Sequence, residues 1–461
     1  MSKGRTVRFP DDTSLGTLGI AGASDTSSRG WREVGEATGV VQVADGHLVR
    51  LEAKHEMLPR LLELEPNAVQ VLLLGWTPTN DDDLRFVGHL TGLTGLSVAC
   101  TQVTDGGMRH LTELHQLRDI TAFGTGLTGA GLAIVSRMPL EWLDFEGCPV
   151  SDKGLEAIGQ FHLLKGLILA EPSLTDDGLA ALSHLRNLLC LEISDAQITG
   201  SGFASMMSVP LKDLNVSGCR GLATLGADAL GRISTLEVLN LGDTGMTDEG
   251  VEAIAHLPLT DLHLGSTKVT DRGLHGLSET ISLAALGLPN LTGVTDGSMQ
   301  AVAKLPNLSR LHVGGTGVTG GGINAIAQMT ELEALWAWKL SVTDSAVARL
   351  AGAKKLGELD LSFTGIGDEA VVALASLPAL RKLDVRGSNI TDAALRELAR
   401  SKSLRELSVW SPGITESGAE QLLEISTLGR LIIKGENMRG HVTEGLMEQV
   451  KARQIGLCSS V

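Results

Sequence analysis

From Leu236 the chain reads LEVLNLGDTGMTDEGVEAIAHLP, and from Leu259 it reads LTDLHLGSTKVTDRGLHGLSET. Both segments fit the frame L-x-x-L-x-L-x-x-T-x-V-T-D-x-G-L-x-x-L, which can be laid down sixteen times. Its first residues are Val69, Leu93, Leu117, Leu140, Leu164, Leu188, Leu211, Leu236, Leu259, Leu283, Leu308, Leu332, Leu356, Leu380, Leu404 and Leu428, at intervals of 23 to 25 residues. Self-similarity at a fixed short period is the signature of a repeat architecture. L-x-x-L-x-L alternates apolar and variable positions at period two, so each copy opens with a short strand that turns one face inward. The Thr of V-T-D is placed to cap a helix, and the Asp after it lies in the first turn, where negative charge suits the helix dipole. Gly-Leu-x-x-Leu then gives an apolar stripe at i, i+3 facing the strand. Neither element can bury its apolar side alone, so stacked neighbours must make the core continuous. A helix is wider than a strand, and the stack is therefore expected to bend with its strands on the concave side.

This frame resembles that of leucine-rich repeats, specifically the bacterial type with a T-D-x-G-L helix. It is similar also to the cysteine-containing repeats of F-box substrate receptors. The resemblance spans roughly residues 69 to 450. It implies an α/β fold: a leucine-rich-repeat solenoid, one right-handed horseshoe with a parallel concave sheet and helices on the convex side. The slot after the strand carries Thr101, Thr125, Thr244, Thr267, Thr316 and Thr364, with Cys148 and Cys219 in the same place. A hydroxyl or thiol there can satisfy backbone groups at the bend, which makes these two cysteines structural.

The frame has departures. Leu283 opens a 25-residue copy with Leu291 in the Thr slot, and the copy from Leu211 is also 25 residues long, with Leu222-Ala223-Thr224 replacing V-T-D. The stretch from Leu211 to Leu236 is the weakest joint of the frame. Thr128-Gly129, Thr199-Gly200 and Thr319-Gly320 lack the Asp, which suggests local bulges on the helical side.

Residues 1–66 do not repeat and are expected to form a small N-terminal β cap, followed by the solenoid over 67–450 and a tail over 451–461. TVRF, SLGTLGI, GVVQVADG and HLVRLEA read as strands, with Ala44-Asp45-Gly46 as a hairpin turn, Trp31 in the cap's core and residues 57–64 as a helix.

Composition narrows the function. The formal net charge is −16, which repels phosphate backbones and makes nucleic acid an unexpected partner. Aromatic residues make up 3% of the chain and Tyr is absent, so Leu and small residues must fill the core. Five cysteines (Cys100, Cys148, Cys190, Cys219, Cys458) fit neither a CxxC pair nor a Cys/His metal spacing, and read as reduced thiols. The N-terminus, MSKGRTVRFPDD, has no apolar h-region, and no stretch approaches 18 consecutive apolar residues. The expected setting is cytoplasmic, with no membrane segment and no cofactor.

Chemistry is sparse. The glycines between Gly314 and Gly322 could suggest a phosphate cradle, but they lack a Gly-Lys-Ser/Thr ending and fall in register as strand end, turn and helix start. Asn80-Asp81-Asp82-Asp83 has neither the Gly nor the Glu of a calcium loop. The twelve His residues show no H-E-x-x-H and build no triad. No enzyme is expected, and no metal.

Binding is the remaining reading. Trp76, Trp142, Trp336, Trp338 and Trp410 all fall in outward slots of the strand frame. Exposed Trp is costly unless covered, and Trp is a frequent interface hot spot. Trp142, His312, Trp336, Trp338, Phe363, Arg386 and Trp410 are the candidate protein-binding residues, with Trp338 and Trp410 in the same slot three repeats apart. The alternative use of the rings is to lie flat on neighbouring strands and stiffen the sheet. Outward charge is acidic between Asp119 and Asp261 and mixed beyond Arg310, which favours a partner with a basic patch and a separate apolar anchor. The expected function is a non-catalytic scaffold or regulator that engages a protein on the concave face. Its rival is a structural spacer or self-assembling component that uses the β cap.

Overall fold

The structure is a computed structural model that describes residues 4–22, 30–170, 173–434 and 456–457. The chain divides into two compact units, Met1–Leu236 and Glu237–Val461.

The first unit begins with β1 (Arg5–Arg8), β2 (Gly16–Gly22), β3 (Arg32–Glu36), β4 (Val40–Val43) and β5 (His47–Ala53). β1 pairs antiparallel with β4, while β2 pairs antiparallel with both β3 and β5. Four of these strands follow the sequence reading, but β3 was not expected: its REVGE is exposed throughout and shows no apolar alternation. Gly46 (φ 72°) does make a turn, closed by the His47 N–H donating to the Ala44 carbonyl at 3.1 Å. It joins strands of two different sheets, so it is not a hairpin. Nor does Trp31 fill the core. Its ring is half-exposed beneath the Arg50 guanidinium, 5.1 Å from the centroid, and Leu15, Leu18, Val49 and Leu51 are the buried residues. Residues 55–63 form a helical turn of the 3₁₀ type.

β5 then pairs in parallel with β6 (Val71–Leu73), so the N-terminal strands run directly into the repeat sheet. That sheet continues through β7 (Gly95–Ser97), β8 (Asp119–Thr121), β9 (Trp142–Glu146), β10 (Gly166–Ala170), β11 (Cys190–Ser194) and β12 (Asp213–Asn215), each parallel to the last. The second unit holds β13 (Val238–Asn240), β14 (Asp261–His263), β15 (Ala285–Gly287), β16 (Arg310–His312), β17 (Ala334–Trp336), β18 (Glu358–Asp360), β19 (Lys382–Arg386), β20 (Glu406–Trp410), β21 (Arg430–Lys434) and β22 (Gly456–Leu457), again all parallel. Each strand from β6 to β21 begins two residues after a frame start. The 25-residue copies therefore absorb their extra residue outside the strand. The tail contributes β22, while the end of the solenoid expected up to Val450 lies, like Cys458, outside the described residues.

The core is the ladder of inward leucines, such as Leu239, Leu262, Leu286, Leu311 and Leu335, none more than 2% exposed. Between strands, helical segments are short: seven residues in Asp248–Ile254, and 3₁₀ turns in Asp105–His110 and Ala130–Val135. The bend is closed as the Thr slot implied. The hydroxyls of Thr101, Thr244, Thr316 and Thr364 each donate to the carbonyl three residues back at 2.6 Å. The Cys148 thiol reaches the Ala122 carbonyl at 3.0 Å, and that of Cys219 the Ile193 carbonyl at 3.2 Å. Burial pushes both thiols' pKa values up, as structural cysteines require.

The Asp of V-T-D does more than meet a helix dipole. Its carboxylate reaches across to the next repeat and accepts from the capping Thr there. Asp248, for example, accepts from the Thr270 N–H and the Thr270 hydroxyl, both at 2.7 Å. This pairing recurs from Asp81–Thr104 to Asp392–Thr415, nine times among the described residues. Where Gly replaces the Asp, Gly129 (φ 84°) and Gly200 (φ 95°) turn left-handed, and a Cβ on either would lie 3.0 or 2.5 Å from the α-carbon of Gly154 or Gly226 in the next repeat. Thr319-Gly320 makes no such bulge, because the helix Gly320–Ile326 starts regularly from an extended Thr319.

Candidate functional site on the strand face of the second unit

The outward positions of β13 to β21 form three columns set by the register. The first runs Val238, Asp261, Ala285, Arg310, Ala334, Glu358, Lys382, Glu406, Arg430. Its charges largely cancel: Arg310 bridges to Asp261 at 2.6 Å, Lys382 to Glu358 at 2.7 Å, and Arg430 to Glu406 at 3.9 Å.

The second column places His263, Gly287, His312 and Trp336 on successive strands. Gly287 leaves a notch, because a Cβ there would lie 2.2 Å from His263 Nδ1. A depression of about 550 Å³ opens over it, walled by His263, His312, Trp336 and the Asp261–Arg310 pair. His312 Nε2 accepts from the Trp338 indole N–H at 2.9 Å, so its proton sits on Nδ1. Burial, and secondarily the neighbouring His263, push the His312 pKa down to about 4, and burial lowers that of His263 as well. Both imidazoles are neutral near pH 7. The notch is a neutral, ring-lined slot.

The sequence-predicted residues therefore separate. His312 meets Trp336 and Trp338 at ring centroid distances of 6.1 and 5.8 Å. Phe363 and Trp410 form a second set, edge to face at 6.3 Å, with the Lys434 ammonium 5.0 Å over the Trp410 ring. Among the described residues no ring contact links the two sets. Arg386 is engaged on its own strand, its Nη2 bridging to Asp384 at 2.7 Å. Trp142 belongs to the first unit. It lies flat on the next strand, where a Cβ on Gly166 would meet its ring at 2.1 Å. Trp338 likewise covers Gly314, where a Cβ would sit 2.5 Å from the indole. Phe363 packs on a glycine too, since a Cβ on Gly387 would lie 2.5 Å from its ring, and Phe363, Trp410 and Trp142 remain 47%, 39% and 37% exposed.

The residue seven places after each frame start is left-handed in nearly every described repeat, and Gly, Asp, Ser or Asn usually holds it: Gly124, Gly147, Asp195, Gly218, Asp243, Ser266, Asn290, Gly315, Gly387. Larger side chains occupy that slot at Trp76 (φ 62°) and Cys100 (φ 53°) in the first unit and at Lys339 (φ 54°) and Phe363 (φ 57°) in the second. A bulky side chain in this conformation is strained. The slot was readable in the sequence as a column of small polar residues and glycine, and His263 as the outward partner of His312; neither was singled out from the sequence.

Residues 138–159, 233–255, 353–375 and 377–399 match the family described as Leucine Rich repeat. Those four segments are leucine-rich repeats. The fold is accordingly a leucine-rich-repeat solenoid, built in each unit from the same strand-and-helix coil. In structure the chain is similar to an internalin from Listeria monocytogenes (18% identity, 77% of this chain and 93% of that one, TM-score 0.49). It is similar also to a leucine-rich-repeat protein of Leptospira interrogans (16% identity, 89% and 99%, TM-score 0.47). A third similar structure is the ectodomain of the receptor kinase GASSHO1/SCHENGEN3 from Arabidopsis thaliana (15% identity, 80% and 53%, TM-score 0.43). Among the described residues no helix is long and apolar enough to cross a membrane, and no three His, Cys, Asp or Glu side chains cluster as a metal site would need.

Proposed function

We propose that this chain is a non-catalytic protein-binding scaffold, and that a protein partner sits on the strand face of the second unit. Stacked repeats of this kind present an extended surface suited to such binding. The observation that carries the reading is Phe363: strained at φ 57°, 47% exposed, and edge to face with a Trp410 that is itself 39% exposed. Both the strain and the uncovered apolar area cost stability, and the fold needs neither, since Ser266 and Asn290 serve the same slot elsewhere. A covering partner recovers the apolar part of that cost. Phe363, Trp410 and Trp336 are the anchors in this reading, with Trp338 and His312 as the wall that holds Trp336 in place.

The test is recovery of the partner from the native host by the intact chain and by Phe363→Asn and Trp410→Ala. Both variants are expected to keep the wild-type circular dichroism spectrum and to lose the partner. Undiminished binding by both would refute the assignment. Recovery of only the chain itself would favour the spacer reading, for which the free edge of β3 is the available docking element. Arg32, Glu33 and Glu36 on that edge are the kind of charges that discourage strand pairing, so it stands second.

A further inference from the structure

Among the described residues of the second unit, four arginine side chains make no ion pair or hydrogen bond: Arg349 and Arg396, which lie in helical segments, and Arg381 and Arg405, which do not. Arg381 and Arg405 occupy the slot just after the frame start in consecutive repeats, and the Arg405 N–H donates to the Arg381 carbonyl at 2.8 Å. Both side chains are exposed, and among the described residues neither makes an ion pair or a hydrogen bond. The adjoining column behaves differently, since Arg310, Lys382 and Arg430 each have a carboxylate within 4 Å. Strands of adjacent coils are about 4.8 Å apart, so the two arginines set like charges on neighbouring coils.

The same slot holds Gly357 one repeat before this pair and Gly429 one repeat after. Packing does not demand these glycines. A Cβ on Gly357 would meet nothing closer than a carbonyl oxygen at 3.4 Å, and one on Gly429 nothing closer than 3.9 Å. They leave the pair uncovered. On the Gly357 side a bay of about 850 Å³ opens, lined by six basic side chains (Arg310, Lys354, Lys355, Arg381, Lys382, Arg405) against Glu333, Glu358 and Glu406. Two of the six are also committed outside the bay, Arg310 to Asp261 and Lys355 to Glu331. A local cationic excess therefore stands in a chain of net charge −16. At physiological salt, charges beyond about 8 Å are largely screened, so a ligand docked in the bay feels its walls more than the distant acidic surface.

We propose that this bay docks an acidic segment of the protein partner, whose carboxylates pair with Arg381 and Arg405 while apolar side chains meet Trp336 and the Phe363–Trp410 pair. The inference rests on the scaffold reading above and reverses, for this unit, the basic partner that the sequence charges favour. Guanidinium forks suit carboxylates, with two bonds per pair. A nucleic acid offers comparable charge, but the whole chain's field opposes a long polyanion.

The experiment titrates fluorescein-labelled hexaglutamate with the full chain in about 50 mM salt, followed by fluorescence anisotropy. Wild type is expected to bind at least about tenfold more tightly than the Arg381→Ala/Arg405→Ala double variant, and to release the peptide at high salt. Gly357→Glu, which sets a carboxylate beside Arg381, is expected to weaken binding similarly at an unchanged melting temperature. Equal binding by wild type and the double variant, no binding by wild type, or tighter binding of an oligonucleotide of equal charge would each overturn the proposal. Phe363→Asn separates the two readings. It should keep hexaglutamate while losing the native partner. If the double arginine variant keeps a partner that Phe363→Asn loses, the acidic segment is wrong and the scaffold reading stands.

Discussion

Replacing Asp271 by Ala tests whether the Asp that recurs in most repeats is a helix-dipole charge or a bond between repeats. The Asp271 carboxylate accepts from the Thr295 N–H at 2.8 Å, from the Thr295 hydroxyl, and from the Ser298 N–H at 3.3 Å. A dipole interaction alone contributes about 0.3–1 kcal/mol at an exposed helix start. Hydrogen bonds to a charged group contribute about 1.5–3 kcal/mol each when well sheltered; these are partly exposed and one is long, so about 2–3 kcal/mol in total is expected for Asp271→Ala. Asp271→Asn should cost about 1 kcal/mol, because the amide oxygen still accepts from the Thr295 N–H and the amide nitrogen can donate to the hydroxyl. Burial alone would raise the Asp271 pKa, but the Thr295 and Ser298 hydrogen bonds outweigh it and hold the pKa below the usual value. The linkage sign follows. The folded-state pKa lies below the unfolded one, so the contribution is complete above about pH 4 and is lost as pH falls through the folded pKa. Urea denaturation at pH 7 and pH 3, with hydrogen exchange at the Thr295 and Ser298 amides, measures both parts. A cost under about 1 kcal/mol at pH 7 with unchanged Thr295 protection would show that the bond between repeats contributes nothing beyond the dipole.

Leu239, 1% exposed in mid-strand, should lose about 2–5 kcal/mol on truncation to Ala, measured by urea denaturation. Ser266→Gly relieves a left-handed φ of 58° at an exposed turn and should raise stability by about 0.5–1 kcal/mol; a loss would show that the turn is not strained. His312 should titrate by NMR near pH 4, since burial and then His263 depress it, and stability linked to it should fall as pH drops below the ordinary His value toward that midpoint. In Trp338→Phe, which removes the hydrogen bond to His312 Nε2, the midpoint should move up toward the ordinary His value; an unchanged midpoint would mean that bond does not hold the neutral form.

The repeat period made the strands legible, because side-chain alternation and the buried leucine are local and recur. Every strand from β6 to β21 starts at the same offset from a frame start, even where a copy is 25 residues long. The N-terminal strands were legible only in part. β3 is charged and exposed on both faces, so it has no apolar signature, and pairing with β2 is a property of the fold rather than of its own residues. The Asp–Thr bond was hidden for another reason. Sequence shows the Asp beside its own helix, whereas its partner lies a whole repeat away. The same distance effect split the candidate site. Trp338 and Trp410 share a slot in the frame, but Gly314 draws one indole back over its neighbour while Phe363 meets the other edge to face.

These departures share a physical basis. A coil in mid-array is held by leucines above and below, by a Thr or Cys at the bend, and in most repeats by an Asp bond to the next coil. Such over-determination lets a single position carry strain of about 1–3 kcal/mol without unfolding the coil. Phe363 at φ 57° is a cost of that kind, and the exposed Arg381 and Arg405 are charges that the stack does not use. Both lie on the strand face of the same unit, outside the positions that the period fixes. The inward leucines and bend hydroxyls are what stacking requires, and they would be the same whatever was bound. Residues that the stack tolerates but does not need are the ones that can record a partner, and here they pair an exposed aromatic edge with an open cationic bay.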